Sequence, residues 1–90
     1  MKFTIAQNQG GLTRTIDVAI QSETPIARVD VKYDGFEFFG LPENLNPPVI
    51  SYNRTFTKTE GISPGLEHRV IVTATDIAGK SESATKVWKD

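Results

Sequence analysis

The chain of 90 residues contains no cysteine, one histidine, one tryptophan and one methionine. Without cysteine there is no disulfide framework and no thiolate to act as nucleophile or metal ligand. One imidazole cannot build a multi-histidine metal centre. No charge of one sign dominates. Ten Lys and Arg stand against eleven Asp and Glu, a net charge of −1. That balance leaves no basic face for nucleic acid or an anionic membrane surface. No run approaches the ~20 apolar residues of a membrane helix. After Met1 and Lys2 the apolar run Phe3–Ala6 is too short for the core of a secretory signal. Hydrophobic residues make up a modest 38%, yet they are periodic, which separates the chain from disordered sequences.

What is present is period-two alternation between turn signals. Lys2–Gln7 places Phe3 and Ile5 on one face. After Gly10-Gly11, Leu12–Gln21 places Ile16, Val18 and Ile20 on one face and Thr15, Asp17 and Gln21 on the other. Ser22–Pro25 reads as a break, and Arg28–Tyr33 then turns Val29, Val31 and Tyr33 inward. Asp34-Gly35 is a two-residue hairpin signal leading into the short aromatic strand Phe36–Phe39. Gly40–Pro48 reads as a loop, because Pro47 and Pro48 would interrupt a ladder. Val49–Lys58 resumes with Ile50, Tyr52 and Phe56 sharing a parity that Arg54 interrupts. Leu66–Thr75 puts Leu66, His68, Val70, Val72 and Ala74 on one face. Asp76–Gly79 is a second turn, and Lys80–Lys89 is the last strand. Such alternation is the mark of half-buried strands, and no window carries a capped helical stripe. Seven short strands spaced near ten residues predict an all-β fold of one domain spanning 1–90, a seven-stranded antiparallel β-sandwich, with a β-barrel as the alternative that fits less well because the Pro-rich loop can cross between two sheets.

The segment Ser63–Lys80, running Ser-Pro-Gly-Leu-Glu-His-Arg-Val-Ile-Val-Thr-Ala-Thr-Asp-Ile-Ala-Gly-Lys, carries a resemblance. It resembles the corner, penultimate strand and final turn of bacterial immunoglobulin-like and fibronectin type III-like modules. Thr15–Ile20 and Pro25–Gly35 resemble their second and third strands, so the likeness covers roughly residues 12–88. His68 stands where fibronectin-type modules usually carry the corner tyrosine. The resemblance implies an Ig-like sandwich in an exported or surface-displayed bacterial protein, outside the cell or in the periplasm. It also implies a non-catalytic module whose partners are the other domains of a longer polypeptide.

Candidate sites are few. A general-base role for His68 with Ser63 or Ser51 as nucleophile needs an exposed pair and an oxyanion hole. Strand parity instead sends His68 inward, as a structural residue that fills the corner and bonds to backbone. Asp34 and Asp76 each sit at a turn, where Asp bonds the amide two residues on. No Asp-x-Asp cluster supplies the six to eight oxygens calcium takes. No catalytic residue, metal site or cofactor is therefore expected. Phe36 and Phe38 share a face and Phe39 points the other way, so at least one of the three cannot sit in the core of a regular strand. Phe36, Phe38, Phe39 and Trp88 are the candidate contact residues for a glycan or a protein partner. The bland alternative is a small core under Leu41 and Leu45, with Trp88 anchoring the last strand. Asn53-Arg54-Thr55 matches the N-glycosylation pattern, which a solvent-facing strand residue meets by chance. The isolated domain is expected to be monomeric.

Overall fold

A computed structural model describes residues 1–38, 40–60 and 63–90. Six strands follow one another: β1 (Lys2–Gly10), β2 (Thr13–Tyr33), β3 (Phe36–Glu37), β4 (Glu43–Thr59), β5 (Glu67–Asp76) and β6 (Ser81–Lys89). Among the described residues there is no helix, and so none long enough to cross a membrane. All pairings are antiparallel, and together they form one curled sheet, an open half-barrel.

The organising element is β2. Its first half, residues 13–21, lies between β1 and β4: Ile16 pairs with Gln7 on one side and Phe56 on the other. Its second half pairs with β5, Val31 facing Val72, and on the other side with the start of β4 and with β3. A six-strand count replaces the expected seven because Ser22–Pro25 bends β2 without ending it. The Ser22 hydroxyl donates to the Thr24 carbonyl at 2.6 Å inside an extended run. Register shifts accompany the bend, at Gln21/Ile26 and Ile26/Arg28. They change the parity of the buried positions from Ile16, Val18, Ile20 and Ile26 to Val29, Val31 and Tyr33. Without that change the second half would turn its apolar side outward, since one residue of slip exchanges the faces of a strand.

The core gathers both halves. Ile16, Val18, Ile20, Tyr52 and Phe56 pack against Val29, Val31, Tyr33, Val70, Val72 and Ala74, all buried. Phe3, Ile5, Leu41, Leu45 and Trp88 close its rim. Ile50 and Leu66, assigned inward from parity, are exposed: Ile50 sits where the β2–β4 register breaks between Val49 and Ser51, and Leu66 just precedes β5. The prolines of the expected loop fall inside β4, but the ladder there is open. Val49 pairs with Ile26 and Asn44 with Arg28, so 45–48 oppose nothing on β2. A residue without an N–H is tolerated in such a gap. The Asp34-Gly35 turn is as expected, with φ of 49° and 86°, the left-handed pair of a tight hairpin.

Candidate functional site

The aromatic candidates do not form one platform. Phe36 is 76% exposed beside the turn. Phe38 is half-buried, its ring stacked on Phe56 at 5.1 Å and edge-on to Tyr33 at 5.9 Å. It escapes the parity of Phe36 because β3 ends at Glu37. Trp88 packs against Tyr33 at 5.8 Å and His68 at 5.5 Å, while neighbouring Val87 faces out. Tyr33 thus separates Phe38 from Trp88, and both serve packing. Phe39 lies outside the described residues. Arg54 lays its guanidinium over the Phe56 ring at 4.8 Å and donates to Glu43 Oε2 at 2.7 Å.

The denser chemistry surrounds His68, which has no exposed surface. The strand alternation that buries Val70 and Val72 also turns this imidazole inward. Its partners are side chains rather than the backbone expected from sequence. Nδ1 lies 2.8 Å from Asp34 Oδ2 and 3.3 Å from the Tyr33 hydroxyl. Nε2 lies 3.2 Å from Asp90 Oδ2. Asp90 is in turn gripped by Arg14, a buried residue with the parity of Ile16 and Val18. Arg14 Nη1 donates to Oδ1 at 2.6 Å and Nη2 donates to Oδ2. Gln9 donates to Oδ1 at 2.6 Å and the Ser63 amide to Oδ2 at 3.0 Å. One carboxylate thereby joins β1, β2, β5 and the corner before β5.

The electrostatics follow the contacts. Hydrogen bonds from Arg14 hold the Asp90 carboxyl well below the usual carboxylate range, against the opposing effect of burial. At Asp34 burial pushes upward. Hydrogen bonds from the Arg69 amide and His68 outweigh it, and the carboxyl ends lower than usual. Burial, aided by the charge of Glu60, pushes the Tyr33 phenol up to about 12.

This cluster was legible only in part. Arg14 and Asp90 were missed, although each has a signal. Arg14 interrupts an apolar face, and Asp90 shares the parity of Trp88. The hypothetical nucleophile Ser51 pairs with Gln21 midway along β4, at the bend of β2, away from His68 on β5. Asp76 accepts from the Ala78 and Lys80 amides at 2.9 and 3.0 Å, as its turn predicts. Asp34 departs from that pattern, because its Oδ1 accepts from the Arg69 amide on the neighbouring β5 at 2.9 Å. An open depression of about 510 Å³ lies at the opposite end, between Lys2, Ser22, Asp76, Lys80 and Glu82. It has no aromatic wall and no imidazole.

No protein-family model, curated protein or solved structure matches the chain.

Proposed function

We propose that the chain is a non-catalytic, immunoglobulin-like spacer module of an exported or cell-surface bacterial protein. Counting β2 as two segments at its bend gives seven. Around the one curled sheet, β1, the first half of β2 and most of β4 lie on one side, and β6, β5, the second half of β2, β3 and the start of β4 on the other. The reading rests on the resemblance carried by Ser63–Lys80 and on the all-antiparallel β architecture. The observation that carries the spacer reading is where the outer strands start and stop. β1 begins opposite Gln21, at the bend of β2. β6 ends opposite Glu67, beside the His68 cluster at the other end of β2. The long axis measures 42 Å against 19 and 18 Å, so copies joined in series would extend rather than fold back. Two copies fused directly are expected to give nearly twice the maximum dimension of one in solution X-ray scattering. Their denaturation midpoint should equal that of the single domain. A compact, side-by-side pair would defeat the spacer reading.

The exposed ring of Phe36 supports a second reading, in which the module also contacts a protein or glycan. The ring borders a shallow slot of about 210 Å³ lined by Tyr33, Glu37, Phe38, Thr57 and Lys58. Phe36→Ala is expected to change stability by less than about 0.5 kcal/mol, as surface substitutions generally do. A denaturant midpoint checks this. A drop of several kcal/mol would assign Phe36 to the packing instead.

A further inference from the structure

Three ligand atoms far apart in sequence meet beside the buried end of β5. Asp34 Oδ2, Glu60 Oε2 and His68 Nδ1 all lie within 4.8 Å of one another. Asp34 comes from the β2–β3 turn, Glu60 from the stretch after β4, and His68 from β5. The orientation of the imidazole is set from behind. A carboxylate only accepts hydrogen bonds, so the contact from Nε2 to Asp90 places a proton on Nε2. By the same rule the 2.8 Å contact from Nδ1 to Asp34 Oδ2 is an N–H donating to a carboxylate, so a metal ion at Nδ1 has to displace that proton. A carboxylate fixing the remote nitrogen of a histidine is the usual support for a metal-binding imidazole. Arg14 keeps Asp90 in place for that task.

A second observation is independent of the first. Glu60 Oε2 is shut off from solvent and accepts no hydrogen bond. The Lys58 ammonium lies 3.8 Å away, too far to hydrogen-bond this buried oxygen, and a cation bound directly would satisfy it. The Tyr33 hydroxyl, 3.3 Å from Nδ1, adds a third oxygen nearby.

We propose that Asp34, Glu60 and His68 bind a divalent transition metal, of which zinc fits the donors best, with Asp90 as the positioning residue behind the imidazole. One imidazole nitrogen with carboxylate oxygens suits zinc, whereas calcium takes six to eight oxygens. Binding removes any proton held between Nδ1 and Asp34 and releases it to solvent. Lys58 competes, since its Nζ lies 3.8 Å from Glu60 Oε2, but this partly exposed side chain can swing into solvent. Access runs through an open cleft of about 500 Å³ bordered by Asp34, Gly35, His68 and Arg69. The ion would fasten the turn, Glu60 and β5 together at the end where β6 finishes.

The test is a Zn²⁺ titration of the chelator-treated domain by calorimetry, with the imidazole ¹⁵N signals followed by NMR. Saturable binding of one ion per chain is expected, with a large shift at Nδ1 and the Nε2 proton retained. Glu60→Gln should weaken binding by about tenfold or more. Lys58→Gln, which removes the competing ammonium, should tighten it. Absence of saturable binding would overturn the proposal. So would an unmoved Nδ1 signal, which marks an adventitious carboxylate site. Affinity unchanged in a folded Glu60→Gln variant would do the same. If that variant does not fold, the Nδ1 shift and the Lys58→Gln affinity decide.

Discussion

Tyr33→Ala is expected to lower the unfolding free energy by about 3–5 kcal/mol, the range for truncating a large buried aromatic residue. Tyr33 is 1% exposed, and its ring is the common neighbour of Phe38, Trp88 and His68. The Lys58 ammonium sits 4.4 Å above the ring. Removing the ring opens a hole bounded at once by Phe38, just after β3, and by β5 and β6, where no single neighbour can collapse to fill it. A chain of this length has roughly 5–13 kcal/mol to lose, at about 0.05–0.15 kcal/mol per residue. The substitution therefore removes a large share of it. Tyr33→Phe separates the two roles of the side chain. It keeps the ring and removes only the hydroxyl that faces His68 Nδ1, so a cost near 1 kcal/mol is expected. Urea midpoints with an unchanged slope measure both. Equal losses for the two variants would show that the hydroxyl, not the packing, is what Tyr33 contributes.

Alternation made the strands legible, because a half-buried strand writes its inward face into every second residue. Ile16, Val18, Ile20, Val70, Val72 and Ala74 are buried as that rule requires. The rule failed where the chain changes register. Phe36 and Phe38 share a parity, yet one is exposed and the other packs, because β3 ends between them. Ser22–Pro25 carries turn-forming residues, but the sheet curls around it and β2 runs through. Curling is set by which strands find each other across the core, and no local window holds that information. The polar cluster was hidden for a related reason. His68 and Arg14 each betray themselves as polar residues on an apolar face. Their common partner Asp90 lies 22 and 76 residues away in sequence. Only the closure of β6 against β5 brings it to them.

Acid is expected to destabilise the domain chiefly through Asp90, and Asp90→Asn to remove much of that sensitivity. Arg14, the Ser63 amide, His68 and Gln9 all face this carboxylate, from β2, the corner, β5 and β1. They depress its proton affinity in the folded chain below the ordinary value of 3.8. Asp34, bonded by Arg69 and His68, is depressed as well. The unfolded chain recovers the ordinary value and so binds protons first as the pH falls. Stability therefore rises with pH wherever the unfolded state holds more protons. The contribution is complete above the unfolded value. It is lost progressively as the pH drops below about 3.8 toward the lower folded values. Asp90→Asn keeps the shape and one acceptor oxygen but removes the titrating group. The variant should be less stable than the parent at neutral pH, because Arg14 then sits buried without its counter-charge. Between pH 7 and about pH 3 it should lose less than the parent, because one of the depressed carboxyls no longer takes up a proton. Urea midpoints for both proteins at the two pH values give the comparison directly. If the two lose the same amount, acid acts on other carboxyls, and Asp90 is a packing residue rather than the charged tie among these strands.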